Sequence, residues 1–460
     1  MKPTRTQALA AACSVLLLAC AAPREDEPEY VPQSLGGSPQ LGEAASAAWA
    51  STATPVLTLE QCLRIAQENS RRLGIATRRV LIADDRVDEA IAGILPRLEA
   101  EGRFSARNND AGVQRPGQPG ISFQEREVGT ATLSAIVPLY SFGRVENAYD
   151  AAKLGVQVAE LDARRVQQNL ELAVRDAYFR LLEAKKIATV VDDSIAVIDL
   201  QLVVARDFFS QQLVSKSDVL SVEVQLAERQ QERILATNNV ELARIALNRV
   251  LGLDIDQRTE VEDVLATATW RGALRDVLRL AIERRPDLEA ARQRIGIAQA
   301  QWRATRSEFF PVIFAFGSFN YTTDEFQLND DWLSGGAAIR APIFDGGVTY
   351  TRLKQRRREI DEAIDLRDER IDDVLLDVRQ AFVEQRAASE RIPVAQKAIE
   401  LGDENLRIVR DQYGQGLLSS VDVLIEEDRL SRARVSYYRA LYTYHQAQAR
   451  LINALGGPLE

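Results

Sequence analysis

From Leu170 the apolar residues advance by alternating fours and threes: Leu170, Val174, Ala177, Leu181, Ala184, Ala188, Val191, Ile195, Ile198, Leu202, Ala205 and Phe209. This is a heptad seam, and it predicts a long helix packed along one stripe. The same register returns 204 residues later. There it reads Val374, Val378, Ala381, Gln385, Ala388, Ile392, Ala395, Ile399, Gly402, Leu406, Val409 and Tyr413, with only Gln385 and Gly402 out of character. Pro393 inside the second seam predicts a local kink. Val190, Val197 and Val204 lie off the main seam and predict a second packed face, so that each helix has a neighbour on either side, as in a ring. The stretch 143–212 would be about 105 Å long at 1.5 Å per residue. Shorter helices are expected over 59–95 and 217–251, which end to end match the long one. No compact domain needs a helix of that length; a rod crossing the periplasm does.

Between the helices the hydrophobic period drops to two. Over Arg97–Arg107, Leu98, Ala100, Gly102, Phe104 and Ala106 alternate with Glu99, Glu101, Arg103 and Arg107. Gly129, Ala131, Leu133, Ala135 and Val137 alternate with Thr130, Thr132 and Ser134. Val312–Tyr321 and Leu333–Ala341 repeat the pattern more weakly, with more aromatics. Apolar-out, polar-in alternation over about ten residues is the signature of an outer-membrane strand; the alternative is a soluble sheet packed on the helices. Four strands cannot close a barrel, for which about eight is the practical minimum. A sheet edge exposed to lipid is forbidden, so membrane strands here require oligomerisation.

The two seams belong to a longer repeat. Leu59-Glu60-Gln61-Cys62-Leu63 returns as Leu274-Arg275-Asp276-Val277-Leu278, and Ile94-Leu95-Pro96 as Phe309-Phe310-Pro311, both 215 residues on. Pro138-Leu139-Tyr140 returns as Pro342-Ile343-Phe344 and Ser215 to Leu220 as Ser419 to Leu424, both 204 residues on. The difference of 11 places an insertion between Pro96 and Pro138, where Asn108 to Gly120 reads as a surface loop. One unit, helix–hairpin–long helix–helix, is therefore expected over 57–252 and again over 274–457, joined by a linker at 253–273.

Composition narrows the chemistry. The 460 residues carry a formal net charge of −10, which argues against a nucleic-acid partner. Length alone would suggest about three domains, but the repeat replaces that estimate with one doubled unit. Three Cys and one His leave little material for a zinc site or a disulfide framework; no metal or cofactor is expected. Lys2 and Arg5 precede an apolar run from Ala8 to Ala19, too short to span a bilayer, which needs about 20 residues. This reads as a signal peptide over 1–19. It ends in Leu17-Leu18-Ala19-Cys20, similar to the bacterial lipobox, in which cleavage leaves the Cys lipidated. Residues 20–56 then form a flexible tether. Cys13 departs with the signal, so Cys62 is the remaining free thiol.

With these motifs in place, the doubled unit resembles the TolC-like outer membrane efflux family over nearly all of Leu57 to Gly457. Arg285-Pro286-Asp287-Leu288 looks like the family's repeat opening. Tyr413-Gly414-Gln415-Gly416-Leu417 with Val421-Asp422-Val423-Leu424 looks like its periplasmic tip. Cys20 makes the chain most similar to the lipoprotein branch serving multidrug efflux. The resemblance implies a mainly α fold with a membrane β-barrel: antiparallel coiled-coil helices form a tunnel, and four strands per protomer enter a twelve-stranded barrel in a homotrimer. It implies docking to a periplasmic adaptor and an inner membrane pump, location in the outer membrane, and a passive duct for small molecules rather than an enzyme. A type I protein secretion duct and a non-conducting coiled-coil lipoprotein scaffold are the alternatives.

No catalytic residues are expected; the chemistry is that of a gate. By resemblance, Asp422 and Tyr413 match the family's constriction, where a ring of carboxylates would attract cations. The local reading of Asp422 is a helix cap, since Ser419-x-x-Asp422 and Ser215-x-x-Asp218 are both capping-box patterns. One residue could do both; Asp218 reads as a cap only. Leu418 stands where the family's gate carries a basic residue, which suggests a more apolar constriction. The two hairpin turns are expected to touch partners through Leu213, Ser215 and Asp218 in the first and Gly414, Gly416, Leu417 and Ser419 in the second. Gly414 and Gly416 are expected to supply positive φ. Glu426 and Glu427 read as a solvated helix face, and Tyr437, Tyr438, Tyr442, Tyr444 and His445 as a packing face. Gly335-Gly336 and Gly346-Gly347 read as strand-end turns.

Overall fold

A computed structural model describes residues 56–108, 111–113, 116–117, 121–264 and 272–457. The expected signal peptide, Cys20, nearly all of the expected tether and much of the expected linker at 253–273 lie outside the described residues. The elements run β1 (Val56–Leu57), α1 (Leu59–Asn69), α2 (Arg71–Ala92), β2 (Arg97–Ala106), β3 (Ala111–Val113), β4 (Ile121–Gln124), β5 (Glu127–Tyr140), α3 (Arg144–Ser210), α4 (Lys216–Leu251), β6 (Glu260–Val261), α5 (Leu274–Arg284), α6 (Pro286–Ser307), β7 (Val312–Thr322), β8 (Asp331–Arg340), α7 (Val348–Gly414) and α8 (Ser420–Leu455). The helix expected over 59–95 is two helices. Ser70 interrupts it in an extended conformation, and its hydroxyl accepts from Leu73 N at 3.3 Å to start the second. The loop expected over 108–120 carries a short hairpin, β3–β4, with a register shift between Ala111 and Gly112. The chain divides into two compact units, one formed by 82–156 and 293–363, the other by 56–81, 157–292 and 364–457 among the described residues.

The second unit is helical, and its core follows the seams. Leu170, Val174, Ala177 and Leu181 of α3 pack with Cys62 and Ala66 of α1 and Leu247 and Leu251 of α4. The corresponding positions of the later elements form a second cluster: Val374, Val378 and Ala381 with Val277, Ala281, Leu451 and Leu455. Gln385 and Gly402 stay in the seam after all. Gln385 is buried, and Gly402 lets Leu430 approach so closely that a Cβ would lie 3.3 Å from its Cδ1. At the far end of α3 the seam passes to Phe208, which packs inward, while Phe209 is exposed. Helix α7 runs unbroken through Pro393. His445 stacks on Phe179 at 4.8 Å, and burial pushes the imidazole below its ordinary value. Burial, then Glu60, pushes the Cys62 thiol up to about 12.

Two details fix the helix ends. Strands β1 and β6 pair in parallel, and the Tyr178 hydroxyl donates to Glu262 O at 2.6 Å to tie that ribbon to α3. Arg285, between α5 and α6, is almost fully buried. It donates to both carboxylate oxygens of Asp287 at 3.0 and 2.6 Å and to Asp377 of α7 at 2.9 Å. Burial alone would raise the Asp287 carboxyl, but hydrogen bonding and charge from Arg285 outweigh it and hold it below the usual carboxylate range.

The first unit carries the four-stranded antiparallel sheet, in the order β2-β5-β7-β8. Its register puts Ala100, Leu133, Phe319 and Leu333 in one row and Glu101, Thr132, Asn320 and Trp332 in the next. Because successive side chains alternate between faces, one face is apolar and the other begins polar. Leu98, Phe104, Leu133, Phe319, Leu333 and Ile339 on the apolar face are all exposed. The polar face is laced by hydrogen bonds: Thr132 Oγ1 donates to Asn320 Oδ1 at 3.1 Å, Asn320 Nδ2 to Ser318 Oγ at 3.0 Å, and Ser318 and Ser334 share one at 2.8 Å. Gly335 and Gly336, expected at a strand end, sit inside β8 opposite Gly317 and Phe316. Phe142, next to Gly143, takes a positive φ of 53° between Tyr140 (4.6 Å) and Phe310 (5.5 Å).

Gly252 and Gly456 end α4 and α8 with φ of 72° and 80°. A Cβ at Gly252 would lie 2.8 Å from Asn69 Cβ, and one at Gly456 3.0 Å from Arg284 O. Left-handed geometry costs a non-glycine residue about 1–2 kcal/mol. Gly252→Ala and Gly456→Ala should each lower the midpoint of thermal unfolding in detergent, and by more than Gly155→Ala, where a Cβ meets nothing within 4 Å. Equal midpoints in all three variants would contradict the packing at these helix ends.

Candidate functional site

The expected site residues gather at the two turns, α3–α4 and α7–α8, in the helical unit. Both turns are built alike. After α3, Gln212 N donates to Phe209 O at 3.0 Å and Leu213 N to Phe208 O at 2.9 Å. After α7, Gly416 N donates to Tyr413 O at 2.9 Å and Leu417 N to Gln412 O at 3.0 Å. This is the paired closure of a helix C-terminus by a left-handed residue. Gly416 takes φ 75° as expected, but Gln212 takes φ 60° in the matching place. Gly414, expected to have positive φ, is the last residue of α7 and does not.

Each turn then opens the next helix with a capping box. Asp218 N donates to Ser215 Oγ at 3.2 Å, while Ser215 N and Oγ donate to Asp218 Oδ2 at 2.9 and 2.7 Å. Asp422 N donates to Ser419 Oγ at 3.4 Å, and Ser419 N and Oγ donate to Asp422 Oδ2 at 2.9 and 2.7 Å. Both bonds from Ser419 end on one oxygen, so Oδ1 of Asp422 stays out of the cap. Those bonds hold the Asp422 carboxyl below the usual carboxylate range. Leu213, Ser215, Asp218, Gly416, Leu417, Leu418, Ser419 and Asp422 line one open cleft of about 430 Å³ between the two turns.

Tyr413 is placed differently from the residues of the cleft. It is buried, with its ring 5.6 Å from Phe208, among Leu406, Val423 and Leu430. Burial, then the nearby Asp218 charge, pushes its phenol upward, and its hydroxyl has no hydrogen-bond partner among the described residues. Glu427 corrects an expectation. It is buried, not solvated, and accepts from Arg410 of α7 at 3.4 Å. Burial raises its carboxyl, and Arg410 offsets this only in part. Beside it, buried Arg229 of α4 pairs with Asp428 of α8, and with Glu232 at 2.6 Å. Arg229, Arg410 and Asp428 are not among the expected site residues, and for Glu427 the pattern of α8 carries the signal. Ser420, Val423, Leu424, Glu427, Leu430 and Ser431 are all buried and step by threes and fours, so Glu427 sits in the seam. Glu426 is only partly buried and receives Asn405 Nδ2 at 2.6 Å. Cys20 lies outside the described residues.

The sequence pattern of the outer membrane efflux protein family matches residues 62–253 and 277–457. The pyoverdine export outer membrane protein OpmQ of Pseudomonas putida is 25% identical over 96% of this chain and 96% of its own length. The cation efflux system protein CusC of Escherichia coli O157:H7 is 24% identical over 85% of this chain and 84% of its own. Among solved structures, the outer membrane protein VceC of Vibrio cholerae superposes with a TM-score of 0.75 at 21% identity, covering 87% of this chain and 97% of that one.

A carboxyl whose folded value is depressed contributes stability that is present above its unfolded value and is lost as pH falls through the folded one. The Asp422 cap should therefore persist through neutral pH and fail only in acid below the ordinary range of about 4. Ser419→Ala should move the Asp422 carboxyl up towards the ordinary value in a carboxyl carbon NMR titration, and amide exchange in the first turn of α8 should accelerate. An unchanged titration would show that the cap does not set the charge of Asp422.

Proposed function

The chain belongs to the outer membrane efflux protein family, and we propose that it works as the outer membrane channel-tunnel of a tripartite efflux system, exporting small molecules passively. The observation that carries this reading is the sheet. It has an exposed apolar face and a hydrogen-bonded polar face, and among the described residues β2 and β8 each leave one edge unpaired. In a bilayer those backbone groups cost several kcal/mol each unless satisfied, and further copies of the same sheet satisfy them edge to edge. Three copies close a barrel of about twelve strands, within the size range of outer-membrane barrels. The apolar face then meets lipid and the polar face lines the passage. The doubled unit, helix–hairpin–long helix–helix, spans 57–252 and 274–457, with a linker at 253–273. Residues 1–19 are the export signal, Cys20 takes the lipid, and 20–56 tether the anchor.

At the periplasmic tip Asp422 forms the constriction. Its free Oδ1 supports that role, and the carboxylate is charged at neutral pH, as an ordinary aspartate is. Tyr413 supports it from within the core. The cleft between the turns, lined by Leu213, Ser215, Asp218, Gly416, Leu417 and Ser419, and the adjoining Gly414 receive the adaptor that links the duct to an inner membrane pump. The duct carries out no catalysis and holds no cofactor.

Reconstituted in planar bilayers, the oligomer should conduct, and Asp422→Ala should raise the conductance and lower the preference for cations. An oligomer that never conducts, with or without Asp422→Ala, would sink the duct in favour of a scaffold. In cells, Cys20→Ser should abolish incorporation of labelled palmitate; persistent labelling would remove the anchor from this account.

A further inference from the structure

The polar face of the sheet changes character along its length. Read across the strands, its rows run Glu101–Thr132–Asn320–Trp332, then Glu99–Ser134–Ser318–Ser334, then Arg97–Ile136–Phe316–Gly336. Next on the same face Phe314 lies between Pro138 and Ala338, and Arg340 lies opposite Val312. Directly opposed residues project from the same face. Two rows of hydroxyls, amide and carboxylates thus give way to an aromatic patch with a guanidinium at either flank.

The patch has definite geometry. The Phe314 and Phe316 rings are 6.4 Å apart, tilted by 51°. The Arg340 guanidinium stands 5.1 Å over the Phe314 ring. Gly336 leaves bare backbone under Phe316, since a Cβ there would lie 3.4 Å from the ring's Cζ. Phe316 is 39% exposed and Ile136 40%, so the patch is open. Arg97 makes no ion pair among the described residues, and no carboxylate lies in the two aromatic rows. The lipid-facing side chains occupy the opposite face, so acyl chains are not the occupant.

We propose that this patch is a transit subsite for small aromatic anions, carboxylates or sulfonates, on the wall of the passage. The inference rests on the conduit reading, which turns this face towards the lumen. An aromatic ring lies against Phe316 and Phe314, and its anionic group meets Arg340 or Arg97. Arg340, with no carboxylate in the aromatic rows beside it, repels a cation and leaves a neutral solute without a charge partner; Arg97, one row from Glu99, adds less. Rings and guanidinium together prefer a flat π-face to an aliphatic body. The exposure of the patch keeps the hold weak, which a duct requires: a solute bound too well at one point does not leave.

The test uses the full-length oligomer with 2-naphthoate, 2-naphthol and cyclohexanecarboxylate as probes. In planar bilayers 2-naphthoate should lower the conductance at lower concentration than either relative. In detergent, saturation-transfer NMR should report the same order of binding. Phe316→Ala and Arg340→Gln should each weaken 2-naphthoate by about fivefold, the loss of one aromatic or cation–π contact at an exposed site. Leu98→Ala, on the opposite face, should leave it unchanged. Should Phe316→Ala fail to assemble, exposed Arg97→Gln serves, with a smaller loss. Equal binding of the three probes, or equal 2-naphthoate binding in wild type and variants, overturns the subsite. An oligomer that binds 2-naphthoate with this pattern but never conducts overturns the conduit and leaves the subsite standing.

Discussion

Burial that recurs every three and a half residues is the constraint on which the helical unit depends. A helix of 67 residues such as α3 or α7 has no compact core to fold around, so its stability must come from a stripe of contacts along its whole length. The stripe tolerates poor members because it is long. Gln385 occupies a seam position and stays buried, and Gly402 trades its missing side chain for closer approach of Leu430. Where the stripe ends, the helices end too. Leu251 and Leu455 are the last buried seam residues of α4 and α8, and a left-handed glycine follows each.

The sheet works under the opposite constraint. It buries little within the protomer, and its largest apolar side chains are exposed on one face. A soluble sheet would cover that face with helices; in the duct we propose, lipid covers it and copies of the same chain meet the unpaired edges. The charges follow the same logic. Glu101 and Arg103 pair at 2.9 Å on the face that holds Thr132 and Thr130, and on the apolar face between Leu98 and Phe104 the one charge of the four strands is Asp331, the first residue of β8.

What could be read from the sequence was whatever repeats. The seams, the alternation in the strands and both capping boxes are periodic or fixed-offset patterns, and the elements lie where these patterns put them. Single-residue backbone choices were not legible. The break at Ser70 rests on one hydroxyl accepting from Leu73 N, in a stretch that otherwise reads as helix. Gln212 adopts the left-handed geometry that Gly416 adopts 204 residues later, and nothing in a glutamine announces it. Gly335-Gly336 looked like a turn because glycine pairs usually are; only the pairing with Phe316 and Gly317 shows why small residues belong inside that strand. Glu427 was missed because its charge was weighed before its position in the seam.

Capping of α8 and the proposed gate role of Asp422 are compatible in this geometry. A capping box needs one carboxylate oxygen to receive the N-cap amide, and Ser419 sends both its amide and its hydroxyl to Oδ2. The second oxygen is not consumed. The cap also suits a constriction: it holds the side chain through two hydrogen bonds and lowers the carboxyl's affinity for protons. Asp218 has the same cap, so capping by itself cannot single out Asp422. What distinguishes the second hairpin is a buried carboxylate: Glu427 is enclosed, whereas the equivalent Glu223 of the first pairs with Arg206 in a partly exposed position. Below Asp422, α8 packs Val423 and Leu430 on Tyr413 and Leu406 of α7, and Glu427 accepts from Arg410 of the same helix. Because Arg410 is itself solvent-exposed, the pair adds only a modest tie to this packing. The packing of α8 on α7 gives the tip a firm base, which a carboxylate there requires if it is to open and close a passage.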